Sequence, residues 1–190
     1  MLRHAPRTVE APKADRLYVS RSKFGRTLAH LLLEDRIEAN LARAGYAIIH
    51  PELLTVADQL SYYNAATQLL FAEGSALLLY AMVARPDQHV GIIKRRRTAR
   101  ERLKLLVEAH GQHPIETIDC IERMYARDNG RATNAPLLTT VHFQRLGEEL
   151  RRSGFITGSE CWEVPADAEV ETALAAYLSA AGYKFREVPA

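Results

Sequence analysis

Residues 69–76 have the sequence Leu-Leu-Phe-Ala-Glu-Gly-Ser-Ala and join an apolar run to a helical pattern through a glycine and a serine. The apolar run at 69–72 does not alternate with polar residues, which is typical of a strand covered on both faces. Helical spacing continues to residue 84, so the sequence predicts a strand that turns directly into a helix. Repetition of this unit gives a parallel sheet with crossover helices.

Apolar runs and helical patterns alternate on both sides of this unit. We predict further strands at 17–19, 46–50, 90–93 and 117–125, and further helices at 27–44, 55–66, 98–109, 137–153 and 170–181. The predicted fold is α/β, a Rossmann-like three-layer sandwich with a mostly parallel sheet.

Local signals support several of these boundaries. Thr55 with Asp58 three residues later is typical of a helix N-cap, and Gly45, Gly111 and Gly154 are expected to end helices. Residues 127–135 are expected to form a polar loop, whereas 155–164 fits either a strand or a loop.

Length and composition bound the domain organisation. The chain has 190 residues, of which 47% are apolar and 25% charged, and this excludes disorder and collagen. We expect residues 1–15 to be a flexible tail or linker, 16–165 to form the domain, and 166–190 to be a carboxyl-terminal helix and tail packed on it. Residues 76–84, the longest apolar run, have half the length of a membrane-spanning helix, so no transmembrane segment is expected.

The charge pattern argues against a general nucleic-acid binder. The net charge is only +2. Residues 94–104 are strongly basic, and such a run binds nucleic acid or anionic lipid in some proteins. No aromatic residues lie within it to stack on bases, so we interpret it as a solvated helix face and expect no nucleic-acid partner.

Two other segments suggest anion chemistry. Glu73-Gly74-Ser75-Ala76 lies at a strand end that becomes a helix, where a glycine allows close approach of a phosphate. The alternative is a purely structural role, in which Gly74 permits the turn and Ser75 caps the helix. Basic residues between Arg16 and Lys23 flank the first strand, where an arginine fork suits a diphosphate, or they form a solvated loop.

Other chemistries fit poorly. A hydrolase nucleophile elbow needs glycines two residues before and after its serine, and Glu73 and Leu77 stand there. His110 and His113 have HxxH spacing, but Gly111 lies between them and breaks the helix needed to align two metal ligands, so no metal is expected. Two cysteines 41 residues apart predict neither a disulfide framework nor a zinc site.

The order of motifs resembles a known family. The motifs are Arg16-Leu-Tyr-Val-Ser20-Arg21, Glu34 in the next helix, Gly45-Tyr46, Pro51-Glu52, Gln59 and Glu73-Gly74-Ser75-Ala76. Together they resemble the carboxyl-terminal half of glycosyltransferase family 61, in its bacterial capsular polysaccharide biosynthesis branch. The resemblance is good from residue 16 to residue 97 and loose beyond it.

This resemblance implies one half of a GT-B fold, which holds a nucleotide-sugar donor for capsular or surface polysaccharide synthesis. It implies a cytoplasmic protein without a metal or other cofactor, because basic side chains neutralise the diphosphate. The residues that it assigns to donor binding are Ser20, Arg21, Gln59, Glu73, Gly74, Ser75 and Ala76. It assigns no catalytic residue.

A glycan acceptor is the second expected substrate. Only about 15 residues precede the first strand, so we expect a partner chain to supply the amino-terminal acceptor domain. Many relatives carry a histidine at the position of Glu73 or shortly after Ser75, where this chain has other residues. The alternatives are therefore a non-catalytic remnant or partner subunit of a split transferase, and an unrelated Rossmann-like domain that binds a phosphate ligand.

Overall fold

The structure, a computed structural model, describes residues 14–25, 29–97, 101–111, 113–128, 138–158 and 161–189. The strands in these ranges are β1 (Arg16–Val19), β2 (His30–Leu31), β3 (Ala47–Ile49), β4 (Gln68–Ala72), β5 (His89–Ile93), β6 (Ile115–Ile118), β7 (Ile121–Arg127), β8 (Leu138–Val141) and β9 (Phe185–Val188). The α-helices are α1 (Glu34–Arg43), α2 (Val56–Ala65), α3 (Ala76–Tyr80), α4 (Glu101–Gly111), α5 (Phe143–Arg152) and α6 (Asp167–Ala180), and Pro51–Leu53 forms a 3₁₀ turn.

The main sheet has five strands in the order β3-β1-β4-β5-β6, and each neighbouring pair is parallel. The chain passes from β1 to β3 on one side and then returns to β4 on the other side of β1. This reversal places a topological switch point at β1, where α/β proteins bind ligands beyond the carboxyl ends of the strands. The prediction of an α/β, Rossmann-like sandwich with a mostly parallel sheet is confirmed.

The two faces of this sheet are covered by different helices. Because successive strand residues point to opposite faces, Leu17 and Val19 pack with α2, α3 and α4, whereas Tyr18 packs with α1 and α5. In β4, Leu69 and Phe71 face the first of these cores, and the residues between and after them face the second. Helices on both faces of a central sheet give the three layers expected from the sequence.

Several boundary signals are confirmed. The Thr55 hydroxyl accepts a hydrogen bond from the Asp58 N–H at 3.1 Å and caps α2. Gly45 has a φ of 83° just after α1, and Gly154 has a φ of 73° just after α5. These left-handed conformations explain why glycine ends both helices.

A second sheet was not expected from the sequence. It has the order β2-β8-β7-β9, in which β2 is parallel to β8 and β7 is antiparallel to both of its neighbours. Helix α6 packs on it through Leu174 and Tyr177, which contact a cluster containing Leu32, Tyr125 and Leu138.

Two predicted helices were wrong at their amino-terminal ends because of this sheet. The helix predicted at 27–44 begins only at Glu34, since His30 and Leu31 pair with β8; residues 26–28 lie outside the described ranges. The helix predicted at 137–153 begins only at Phe143, because the residues of β8 form a buried strand rich in β-branched side chains.

Other differences are local. The strand predicted at 117–125 is two strands, β6 and β7, which belong to different sheets. Residues 185–188, predicted as part of a tail, pair with β7. Helix α3 ends at Tyr80 rather than at residue 84. Residues 98–100 of the predicted basic helix, and most of the polar loop predicted at 127–135, lie outside the described ranges.

Candidate functional site

A pocket of about 140 Å³ opens beyond the carboxyl ends of β1 and β4, between α2 and α3. It lies at the switch point of the main sheet, where the fold places ligands. Five of the residues assigned to donor binding line it, together with Phe24 and Leu79. They are Ser20, Arg21, Gln59, Ser75 and Ala76.

Arg21 is the charged side chain in this lining. It follows β1, and its Nε donates a hydrogen bond to the Ala29 carbonyl oxygen at 3.2 Å. Its guanidinium lies over the Phe24 ring, 4.5 Å from the ring centroid. Within the described part of the chain, no acceptor is hydrogen-bonded to the terminal nitrogens of Arg21. Arg21 therefore has N–H groups available for an anionic ligand.

Gly74 lies beside Arg21 and makes room for it. A β-carbon placed on Gly74 would stand 2.5 Å from Nη1 of Arg21 and 3.3 Å from Cζ. Such a separation is too short for any stable contact between carbon and nitrogen. The structure thus brings Gly74 and Arg21 together, and the close approach that the glycine permits is that of the guanidinium.

The exit of β1 is held by a buried carboxylate. Glu34 is 2% exposed, and its Oε1 accepts hydrogen bonds from the Arg21 N–H at 2.8 Å and from the Tyr18 hydroxyl at 3.0 Å. The Ser20 hydroxyl lies 3.0 Å from the same oxygen and 2.5 Å from Oε1 of Glu38. Ser20 is fully buried, so its contribution to the pocket is to organise the loop after β1.

Burial shifts the pKa of both charged partners at this exit. It lowers the pKa of Arg21, although the carboxylates of Glu34 and Glu52 oppose the shift. It raises the pKa of Glu34, against the hydrogen bonds from Arg21, Ser20 and Tyr18. An arginine keeps its charge at neutral pH, so the pocket retains a cation.

Glu73 is engaged by the chain that follows β5. Its Oε1 accepts a hydrogen bond from Nε of Arg96 at 2.7 Å, and its Oε2 accepts one from the Arg95 N–H at 3.1 Å. Lys94 in the same basic run pairs with Asp119 at 2.7 Å. Two of the cations after β5, Lys94 and Arg96, are thus paired with acidic partners within the fold, and Glu73 shapes the turn that carries Gly74.

The remaining predicted residues differ in what they offer a ligand. Gln59 donates from Nε2 to the carbonyl oxygens of Pro51 at 2.9 Å and Leu54 at 3.3 Å, so its amide holds the 3₁₀ turn. Ser75 is exposed and its hydroxyl does not cap α3, which corrects the capping alternative. Helix α3 has only five residues, so Arg21, rather than a helix N-terminus, is the candidate anion-binding group of the pocket.

Sequence reasoning missed several polar groups around Arg21. Glu38 also accepts a hydrogen bond from the Ser22 hydroxyl, and Nε2 of His50 lies 3.9 Å from its carboxylate. The carboxylate oxygens of Glu52 are buried and have no hydrogen-bond partner in the part of the chain that the structure describes. The spacing of Glu34 and Glu38, four residues apart in a helix after the first strand, was a usable signal because such residues share a helix face.

A larger groove of about 570 Å³ lies elsewhere, between β7, α5 and α6. It contains none of the residues predicted to bind a donor. Arg123 and Glu171 in its lining pair with each other at 2.5 Å, and Thr140 donates a hydrogen bond to Glu122 at 3.2 Å. Much of its polar lining is therefore already satisfied, and the smaller pocket is the better candidate site.

The described ranges contain neither a cluster of metal-ligating side chains nor a helix that could span a membrane. There, no group of three or more His, Cys, Asp and Glu side chains is arranged to hold a metal ion. Nε2 of His113, one of the two histidines at HxxH spacing, lies 3.2 Å from the Tyr80 hydroxyl. None of the helices in these ranges combines the length and the hydropathy that crossing a bilayer requires.

Comparison with known proteins shows that part of the chain is similar to a known family. No curated protein matches the chain. A family model does match its amino-terminal part, over residues 1–91, and the residues that line the pocket all lie within this segment. The segment that builds the switch-point pocket is therefore similar to the family described as Glycosyltransferase 61.

Proposed function

We propose that the chain binds a nucleotide-sugar donor for glycosyl transfer, as the donor-binding half of a glycosyltransferase of family 61 type. The observation that carries the proposal is the guanidinium of Arg21 at the switch-point pocket, within the segment that matches the family. Its Nε is bonded to Ala29, and among the described residues no acceptor is hydrogen-bonded to its terminal nitrogens. A guanidinium binds the diphosphate of such a donor through charge-assisted, forked hydrogen bonds.

The proposal assigns different tasks to the predicted residues. Arg21 contacts the diphosphate, and Ser75 and Ala76 border the ligand on the α3 side. Ser20, Gln59, Glu73 and Gly74 shape the pocket through the contacts described above. No residue is assigned as the catalytic base.

The biological setting in this proposal is bacterial capsular or surface polysaccharide synthesis, with a glycan as the acceptor. The acceptor would be held by a second Rossmann-like domain, as in a GT-B enzyme. Diphosphate neutralisation by Arg21 fits metal-independent transfer, because the leaving group then meets a fixed positive charge.

Isothermal titration calorimetry against UDP-, GDP- and CMP-sugars tests donor binding directly. We expect one nucleotide class to bind, and Arg21→Ala to weaken its binding by about 1.5–3 kcal/mol through loss of a charge-assisted contact. Arg152→Ala is the matched control, because Arg152 is an exposed arginine of α5 that pairs with Glu149. The Arg152→Ala variant should bind the nucleotide sugar with the same affinity as the wild type.

Two outcomes count against the proposal. A folded sample that binds none of the nucleotide sugars excludes a donor site. Equal binding of all of them and of inorganic pyrophosphate favours the alternative of a Rossmann-like domain for a generic phosphate ligand.

A further inference from the structure

Two unfavourable features meet where α1 begins. Leu33 has a φ of 55°, a left-handed conformation that is rare for a residue with a branched side chain. Next to it, Glu34 is only 2% exposed, and its Oε2 has no hydrogen-bond partner among the described residues. Strained backbone and unsatisfied buried groups persist where the surroundings enforce them, and they concentrate at functional sites.

Glu34 acts on the residues that lead to Arg21. Its Oε1 accepts from the Tyr18 hydroxyl, the Ser20 hydroxyl and the Arg21 N–H within 3.0 Å. These groups belong to the end of β1 and to the two residues that follow it. One carboxylate oxygen therefore fixes the direction in which the chain leaves β1.

The position of the Arg21 side chain follows from this anchor. With its backbone held, Arg21 reaches the Ala29 carbonyl oxygen and the Phe24 ring, and its guanidinium lies against Gly74. Glu34 interacts with Arg21 electrostatically but uses none of its side-chain donors. The terminal N–H groups of Arg21 thus stay available for a ligand.

We infer that Glu34 is a positioning residue for Arg21: through its bond to the Arg21 N–H, it directs the guanidinium to the switch-point pocket. This inference rests on the proposed function, since it gives the pocket's cation a defined place. Glu34 itself does not touch the ligand.

The first experiment needs no ligand. Hydrogen exchange of the Arg21 Nε–H is followed by NMR of ¹⁵N-labelled protein, with the resonance assigned by its loss in Arg21→Lys. Because this N–H is bonded to Ala29, its exchange is slow only while the side chain keeps its place. Glu34→Gln retains an acceptor oxygen and should keep the protection, whereas Glu34→Ala should speed exchange by about tenfold or more.

The second experiment is a double-mutant cycle with UDP as the probe, measured on folded protein by calorimetry. Glu34→Ala should weaken UDP binding by about tenfold in the wild-type background and have little effect in the Arg21→Ala background, because Glu34 acts through Arg21. Asp35→Ala removes an exposed carboxylate from the same helical turn and should change neither readout.

The outcomes separate this inference from the proposed function. Unchanged exchange in Glu34→Ala overturns the positioning role, whatever the ligand results are. Faster exchange with no UDP binding by the wild type supports the positioning role and overturns the donor site. An equal loss of affinity in both backgrounds shows a general structural role instead. If Glu34→Ala does not fold, Glu34→Asp is used instead, because it withdraws the carboxylate by one methylene. It should give the same increase in the exchange rate of the Arg21 Nε–H.

Discussion

The guanidinium of Arg21 occupies the space that a β-carbon on Gly74 would need, with Nη1 only 2.5 Å from that position. This relationship joins the exit of β1 to the turn after β4, on either side of the switch-point pocket. It also changes the explanation of why a glycine is needed at position 74. The sequence suggested that Gly74 admits a phosphate, whereas the structure shows that it admits the arginine, and the arginine has N–H groups to offer a phosphate.

Gly74→Ala should therefore displace the Arg21 guanidinium. The clashing atoms belong to the far end of a flexible side chain, so folding should change little. UDP affinity should fall about tenfold, which corresponds to the loss of about one charge-assisted hydrogen bond. Calorimetry gives the affinity, and thermal denaturation gives the stability.

Gly25→Ala is the matched control for this substitution. A β-carbon on Gly25 meets nothing within 4 Å, so the same chemical change should leave UDP affinity intact. Equal affinities for wild type and Gly74→Ala would show that the place of Arg21 against Gly74 is unimportant for binding.

Four strands of the main sheet, β1, β3, β4 and β5, could be predicted from the sequence because they carry short apolar runs bounded by glycines, prolines and caps. The fifth, β6, has two polar residues at its centre and was predicted only as part of a longer strand. The second sheet could not be predicted in this way. His30 and Leu31 extend a helical pattern, and only their pairing with Leu138 and Thr139, over 100 residues away, makes them a strand. Non-local pairing overrides local propensity at such positions.

The site was predictable in its location and less so in its contacts. Arg21 and the turn at Gly74 follow neighbouring strands, so the parallel sheet brings their ends together. Nothing in the sequence indicates that Gln59 holds a 3₁₀ turn, or that Glu73 is committed to Arg95 and Arg96. These contacts depend on side-chain directions that are fixed only by the packed fold.

The ion pair between Glu73 and Arg96 should be important for stability. The Glu73 side chain is 6% exposed, and Glu73→Ala leaves the Arg95 N–H and the Arg96 guanidinium without this acceptor. We expect a loss of about 3 kcal/mol in the free energy of unfolding, as for other broken buried pairs. Urea denaturation measures this loss.

Asp119→Ala is the contrasting variant. It also removes a carboxylate that pairs with a cation after β5, but the Asp119 side chain is 46% exposed. Its cost should stay below about 1 kcal/mol. If both variants lose the same stability, burial of the Glu73 pair has no special effect.

The N-cap of α2 should contribute to the support of Gln59. Thr55→Ala removes the hydroxyl that accepts from the Asp58 N–H, and should cost about 1 kcal/mol in unfolding free energy. Thr172→Ala is the control, because Thr172 lies inside α6 and its hydroxyl bonds the Ala168 carbonyl oxygen four residues earlier. It should be neutral or slightly stabilising, since alanine has the higher helix propensity.

The buried Glu34 should make stability depend on pH in a direction that its environment determines. Burial raises its pKa above the ordinary value of 4.5, so the folded chain takes up this proton at a pH where the unfolded chain does not. The free energy of unfolding of the wild type should therefore rise, relative to that of Glu34→Gln, as the pH falls from 7 through the raised pKa to about 4.5, and the difference should stay constant below it. Urea denaturation of both proteins across this range measures the difference, and other titrating groups cancel because both proteins carry them.

Asp35→Asn, at the exposed position beside Glu34, is the control, because it reports how much of the difference in unfolding free energy comes from removing charge from the first turn of α1. A difference that is independent of pH, or that moves in favour of Glu34→Gln as the pH falls, would show that burial does not raise the pKa of Glu34.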